Sequence, residues 1–254
     1  MIRLYISEPT PAFAAGLSFA LNPDQSRYLT SVMRLHVNDE LAVFNGRDGE
    51  WRASIAEAGK KGVRLALTGQ IRAQPEAGGP TLVIALIKRT PLEYIVEKAT
   101  ELGVKTIQLV ITQRSNSSHT NVERLVSIAK EAAEQTERLD LPSILTPVKL
   151  EAWLASNACS AVLFGDEEST HEGDDRLTRP ILGALEEMNA DASHAIASTA
   201  VLIGPEGGFD DGERQILRAH PRVKPVNLGP RILRADTAAI SALTLLQAVM
   251  GDWR

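Results

Sequence analysis

At 254 residues, 44 % hydrophobic and 23 % charged, the chain is long enough for two domains with substantial cores. Its single cysteine, Cys159, excludes a disulfide framework or thiolate cluster, and its five histidines show no metal-binding spacing. The net charge of −5 offers no overall attraction to nucleic acid, although 8 Lys+Arg stand against 7 Asp+Glu in residues 1–70 and 19 against 25 in the rest.

The opening "MIRLYISEPT" lacks the apolar centre of a signal peptide. The run "AAISALTLLQAVM" is too short and too polar to span a bilayer, so a cytoplasmic protein is expected. Residues 1–71 then read as a small β-barrel. "LAVFNG", "EWRASIAEA" and "GVRLALTGQI" are short strands divided by the turns "NGRDG" and "AGKKG", with one helical stretch from Pro23 to Leu35. "RAQPEAGGP", residues 72–80, has linker composition.

Residues 81–254 follow a different pattern. "TLVIALIK" is continuously apolar, as in a strand buried on both faces. The helix "TPLEYIVEKATELG" is expected to start with Thr90 as cap, Pro91 at the first helical position and Glu93 closing a capping box. Strand "TIQLVIT", helix "NVERLVSIAKEAAEQTER", strand "AVLFG", a helix around "PILGALEEM", strand "AVLIG", helix "DGERQILRA", strand "VKPVNLG" and helix "DTAAISALTLLQAVM" complete an alternation that predicts a parallel sheet covered on both sides. The acidic segment 165–175 reads as a solvated loop.

Three strand ends share one character: "LFGDE", "LIGPEGG" and "LGPRILRAD" each place glycine just after an apolar run. Glycine lets a ligand touch the main chain, and ligands of open α/β sheets gather at the carboxyl ends of the strands. A single such loop is as readily an ordinary turn; three together point to a pocket. The chain carries no phosphate-binding G-x-x-x-x-G-K-[ST] loop, no dinucleotide G-x-G-x-x-G after its first α/β strand and no G-x-S-x-G elbow. A pocket of backbone and few polar side chains suits a neutral or zwitterionic small molecule.

"IGPEGGF" followed about twenty residues later by "LGPRILRADTAAISAL" resembles the bacterial 16S ribosomal RNA uridine-N3 methyltransferases, S-adenosylmethionine enzymes of the knotted SPOUT class. "KATELGV", "QRS" and "EAAEQTER" extend the similarity, and "YLTSVMRLHVNDELAVFNGRDGEW" resembles the PUA-like RNA-binding domain of that family. Two departures stand out. Asp236 replaces the glutamate of R-I-L-R-x-E-T-A, and Thr136-Glu137 stand where the family has Ser-Gly.

The resemblance implies an α/β SPOUT-type parallel sheet with a C-terminal trefoil knot, preceded by a PUA-like β-barrel. It implies a homodimer, methylation of uridine N3 in 16S rRNA of the small subunit, and S-adenosylmethionine as cofactor. The cofactor would be held by Leu163, Gly165, Leu202, Ile203, Gly204, Glu206, Gly207, Gly208, Leu228, Gly229, Ile232 and Leu233. Gly204, Gly207 and Gly208 would be small so that the cofactor can lie against the backbone. Arg27, Arg34, Lys88, Arg114, Arg138 and Arg231 are the candidate RNA contacts, the first three equally readable as solvated charges, and Arg231 is also the second choice for the catalytic role. Arg234 is the candidate catalytic residue; its alternative is to pair with Glu206 or Asp236 and brace the loop. Trp51 and Phe44 are read as barrel core rather than as base-stacking platforms. The competing functions are methylation of another RNA, or RNA binding in subunit assembly without catalysis.

Overall fold

The structure, a computed structural model, describes residues 1–7, 10–76, 78–156, 158–167, 179–191 and 194–253. Most of the acidic segment, from residue 168 onward and including His171, lies outside the described residues. Two compact units divide the chain: residues 1–77 with 133–141, and residues 78–132 with 142–254.

The first unit is a five-stranded sheet of β1 (Arg3–Tyr5), β2 (Ser18–Ala20), β3 (Glu40–Phe44), β4 (Glu50–Gly59) and β5 (Gly62–Arg72), in the order β1-β3-β4-β5-β2. Only the β1–β3 pairing is parallel. Register shifts along the β4–β5 pairing at three places bend the hairpin around its apolar face. That face buries Leu41, Val43, Ile55, Leu65 and Leu67 over Leu4 and Leu29. The helical stretch after Asn22 is α1 (Pro23–Arg27), capped by the Asn22 side chain and continued by a wider turn through Val32. Phe44 is fully buried and Trp51 donates its indole N–H to the Asp48 carbonyl, so both serve the core.

Arg3 joins this sheet to the 133–141 stretch. Its Nε meets Glu50 at 2.6 Å, Nη1 donates to the Ala133 and Glu134 carbonyls, and Nη2 donates to the Arg138 carbonyl. The guanidinium also sits 4.4 Å from the centre of the Phe44 ring. Glu50 takes a second bond from Arg72 Nε at 2.8 Å. Burial works to raise the Glu50 pKa, but the Arg72 and Arg3 hydrogen bonds prevail and hold it below the usual 4.5. A depressed folded pKa contributes stability above the unfolded value that is lost as pH falls through the folded one. The urea midpoint of this unit is therefore expected to drop as pH falls below 4.5, and Glu50→Gln to flatten that dependence. An unchanged slope in the variant would assign the pH response to other groups.

Glu137 explains one departure from the family pattern. Its φ is +62°, a conformation that favours glycine. Arg72 compensates by donating to both the Glu137 carbonyl, at 3.1 Å, and its carboxylate, at 3.3 Å. Valine at this position is expected to cost about 1–3 kcal/mol, the range for a strained backbone residue, read as a lower unfolding midpoint; an unaltered midpoint would show that the turn relaxes freely.

The second unit is an all-parallel sheet of seven strands: β6 (Thr81–Ala85), β7 (Thr106–Ile111), β8 (Ser143–Lys149), β9 (Ala161–Gly165), β10 (Arg179–Pro180), β11 (Thr199–Ile203) and β12 (Val223–Asn227). Their order is β10-β12-β9-β11-β6-β7-β8. One face packs under α2 (Arg89–Glu101), α3 (Val122–Gln135), α5 (Ile181–Ala190) and α7 (Ala235–Met250); the other packs under α4 (Leu150–Ser156) and α6 (Asp211–Ala219). Successive strand residues serve opposite faces. Leu82 and Ile84 go to the first, Val83 and Ala85 to the second, which is why these strands read as unbroken apolar runs.

Two local expectations need correction. Helix α2 starts at Arg89 with Lys88 as its cap, and Glu93 accepts from Arg89 Nε at 2.7 Å instead of closing a box with Thr90. Pro91 is therefore the third helical residue and not the first, still within the turn whose backbone N–H groups have no partner in the helix. Asp210 and Glu213 form the capping box of α6.

Candidate active site

Strands β12, β9 and β11 are neighbours in the sheet, so their carboxyl ends meet although the chain visits them out of spatial order. The loops that leave them line one cavity of about 220 Å³. Gly165, Asp166 and Glu167 come from the first loop, Ile203 to Glu206 with Gly208 from the second, and Val226 to Gly229 with Arg231 to Ala235 from the third; Ala238 of α7 closes it. The wall is largely apolar, with a few polar groups, as small-molecule sites are.

The expected cofactor residues Gly165, Ile203, Gly204, Glu206, Gly208, Leu228, Gly229, Ile232 and Leu233 all line this cavity. Leu163 and Leu202 do not, because their side chains are wholly buried in the cores on opposite faces of the sheet. Gly207 also lies outside the lining, where a Cβ would make ordinary contact with Arg114.

The geometry corrects the reason given for the glycines of the second loop. A Cβ on Gly204 would lie 2.6 Å from the Phe209 ring, and one on Gly208, at φ +68°, would fall on the Glu167 carboxylate. Packing against the buried Phe209 ring calls for glycine at the first, and the positive φ favours it at the second. Gly229 is different: its φ is +104° and a Cβ there meets no atom within 4 Å. It lines the cavity and packs against nothing at that point.

The start of the acidic segment also differs from expectation. Asp166 is 2 % exposed. Its carboxylate meets Arg218 Nη2 at 2.6 Å and Arg214 Nε at 3.3 Å, while Arg214 Nη2 meets Glu167 at 2.6 Å. Two carboxylates of the β9 loop are thereby balanced by two guanidiniums of α6, and a buried charge set of this kind holds loop and helix in one arrangement. Neither the acids nor the arginines carried a periodic signal that would have distinguished them from surface charges.

A loop absent from the expected pocket braces the second one. After β7, the Gln113 N–H donates to Glu213, Arg114 Nη1 donates to the Gly207 carbonyl at 2.8 Å, and Asn116 Nδ2 donates to Glu206 Oε2 at 2.6 Å. Arg114 is thus engaged with the loop backbone.

Arg234 stands at the N-cap of α7, exposed and in the cavity lining. Its side chain makes no hydrogen bond or ion pair with Glu206, Asp236 or any other described residue; Asp236 instead accepts from the Thr237 N–H at 2.7 Å. Arg231, also exposed, lines the same cavity. The other candidate RNA contacts are dispersed. Arg27 lines a groove with Lys60 and Lys61 in the first unit, Arg34 is exposed at φ +57°, and Lys88 is exposed at the start of α2. Arg138 turns inward, its side chain 10 % exposed and 2.8 Å from Asp140, so its charge is committed within the protein.

Comparison with known proteins places this geometry among relatives. Residues 77–247 match the pattern of the RNA methyltransferase domain, and residues 21–68 that of the RNA methyltransferase PUA domain. The ribosomal RNA small subunit methyltransferase E of Rickettsia conorii is 35 % identical over 85 % of this chain and 83 % of its own. The protein of the same name from Synechocystis is 36 % identical over 91 % of this chain and 73 % of its own. Among solved structures, a Legionella pneumophila methyltransferase in complex with bound S-adenosylmethionine superposes with a TM-score of 0.79 at 28 % identity, covering 99 % of this chain and 98 % of that one.

Proposed function

The chain belongs to the RNA methyltransferase family, and on that premise we propose that it methylates uridine N3 in 16S ribosomal RNA with S-adenosylmethionine as donor. The observation that carries the reading is the three-loop cavity with an uncommitted arginine at its rim.

The residues present suit the cofactor. Ile203, Leu228, Leu233 and Ala238 offer an apolar bed for an adenine ring, Gly229 leaves main chain open to it, and Glu206 supplies negative charge for a sulfonium. When bound, S-adenosylmethionine supplies an electrophilic methyl group. Uridine N3 becomes nucleophilic only as its proton leaves, and the resulting negative charge spreads onto the two flanking carbonyl oxygens. Arg234 stabilises that charge. Its planar fork fits a carbonyl edge, and a cation beside developing charge acts more strongly once bound substrate and cofactor displace the water around it. The lining holds no histidine or lysine, so the proton passes to water or to Glu206.

The remaining assignments follow the same reading. The first unit docks the RNA, the C-terminal loops form the trefoil knot, and the enzyme is a cytoplasmic homodimer acting on the small subunit. No helix among the described residues is long and apolar enough to cross a membrane.

Mass mapping of 16S rRNA from a strain lacking the gene tests the function. One methyluridine should disappear and return with the wild-type gene. An unchanged set of modifications would reject 16S rRNA as the substrate.

A further inference from the structure

A second cavity, of about 480 Å³, opens at the carboxyl ends of β6 and β7, where α2 and α3 begin. Its lining brings together Lys88, Arg89, Arg124 and His119 against a single carboxylate, Glu93. Glu93 Oε1 serves two arginines at once, Arg89 Nε at 2.7 Å and Arg124 Nε at 3.5 Å. Lys88 has no side-chain partner among the described residues. The cavity therefore keeps an excess of positive charge within a protein whose total is −5. The helix N-termini of α2 and α3 add their positive ends to it.

We infer that this cavity binds a backbone phosphate of the RNA next to the nucleotide being methylated. This rests on the methyltransferase reading above and extends it to the docking of the substrate strand. The position favours it: Asn116 lines this cavity, and its Nδ2 donates to Glu206, which lines the cofactor cavity, at 2.6 Å. A single hydrogen bond between Asn116 and Glu206 thus joins the walls of the two spaces, an adjacency suited to neighbouring units of one strand. A phosphodiester recognised here fixes register and carries no sequence information. Arg89 and Arg124 share Glu93, which orients them, while Lys88 supplies the uncommitted charge.

The test is binding of a labelled 16S rRNA transcript by the full chain across a salt series. Lys88→Ala and the double variant K88A/R124A are compared with wild type, and S-adenosylmethionine affinity is measured in parallel. Losing one phosphate contact is expected to weaken RNA binding roughly tenfold and to reduce the slope of log Kd against log salt by about one for Lys88→Ala, and by more for the double variant. Lys88→Arg should restore the slope, and cofactor affinity should not move. Unchanged Kd and slope in both alanine variants would overturn the proposal. So would a loss seen only on assembled small subunits and not on the transcript, because the cavity would then hold a ribosomal protein. Failure of the methyltransferase reading shows itself separately, as a wild-type protein that binds the transcript and subunits but transfers no methyl group to either.

Discussion

Arg234→Ala is expected to lower the single-turnover rate of RNA methylation by about a hundredfold or more, the usual cost of removing one donor aimed at developing charge. Cofactor affinity should change little, because the assigned task of the guanidinium is on the uridine and not on the cofactor. Folding should also survive. The side chain is exposed and unpaired among the described residues, and its backbone carbonyl, which accepts from Ala238 N–H at 2.8 Å, remains. Raising the pH should recover part of the lost rate, since hydroxide then shares in removing the N3 proton. A near-normal rate would show that Arg234 does no chemistry. A defect explained wholly by lost cofactor binding would move it into the cofactor site.

Gly229→Val is expected to weaken S-adenosylmethionine binding by about a hundredfold, near 3 kcal/mol, the upper range for overfilling a packed space. Gly229 lines the cavity and a Cβ there meets no atom within 4 Å, so the added bulk is expected to fall in the space of the ligand and not against the protein. The positive φ adds strain of about 1–3 kcal/mol, which a domain stable by about 5–15 kcal/mol withstands. Gly204→Val gives the informative contrast. There the new atoms meet Phe209, which is fully buried at 5.2 Å from the Phe164 ring centre, so the loss should fall on folding. Calorimetry for binding and thermal unfolding for stability separate the two. Equal cofactor affinity in wild type and Gly229→Val would remove the third loop from the site.

Much of the second unit was legible because its strands are buried on both faces. An unbroken apolar run such as "AVLFG" has few other readings, and the observed strand spans Ala161–Gly165. The stretch 143–156 was not read as structure. Strand β8 lies at the sheet edge with most of its residues exposed and Pro147 within it, and α4 is only seven residues long. The loops of the site were legible through their glycines, yet the physical cause at Gly204 required the position of Phe209, and that at Gly208 the positive φ of the folded loop. Asp166 shows the same limit. Composition marks an acid as solvated, and only the approach of Arg214 and Arg218 from α6 makes its burial affordable. The membership of residues 133–141 in the first unit is likewise set by the bonds from Arg3, more than 120 residues away in sequence. Glu137 could be seen to stand where glycine is usual, but not that it keeps a glycine conformation with Arg72 as its support.

The most direct measurement is transfer of labelled methyl from S-adenosylmethionine to purified small ribosomal subunits that lack the modification, followed by nuclease digestion and identification of the labelled nucleoside. The account predicts a single product, 3-methyluridine, at no more than one per subunit, strongly reduced with Arg234→Ala and with Gly229→Val. Label in any other nucleoside, or none in RNA while the protein binds S-adenosylmethionine normally, would contradict it.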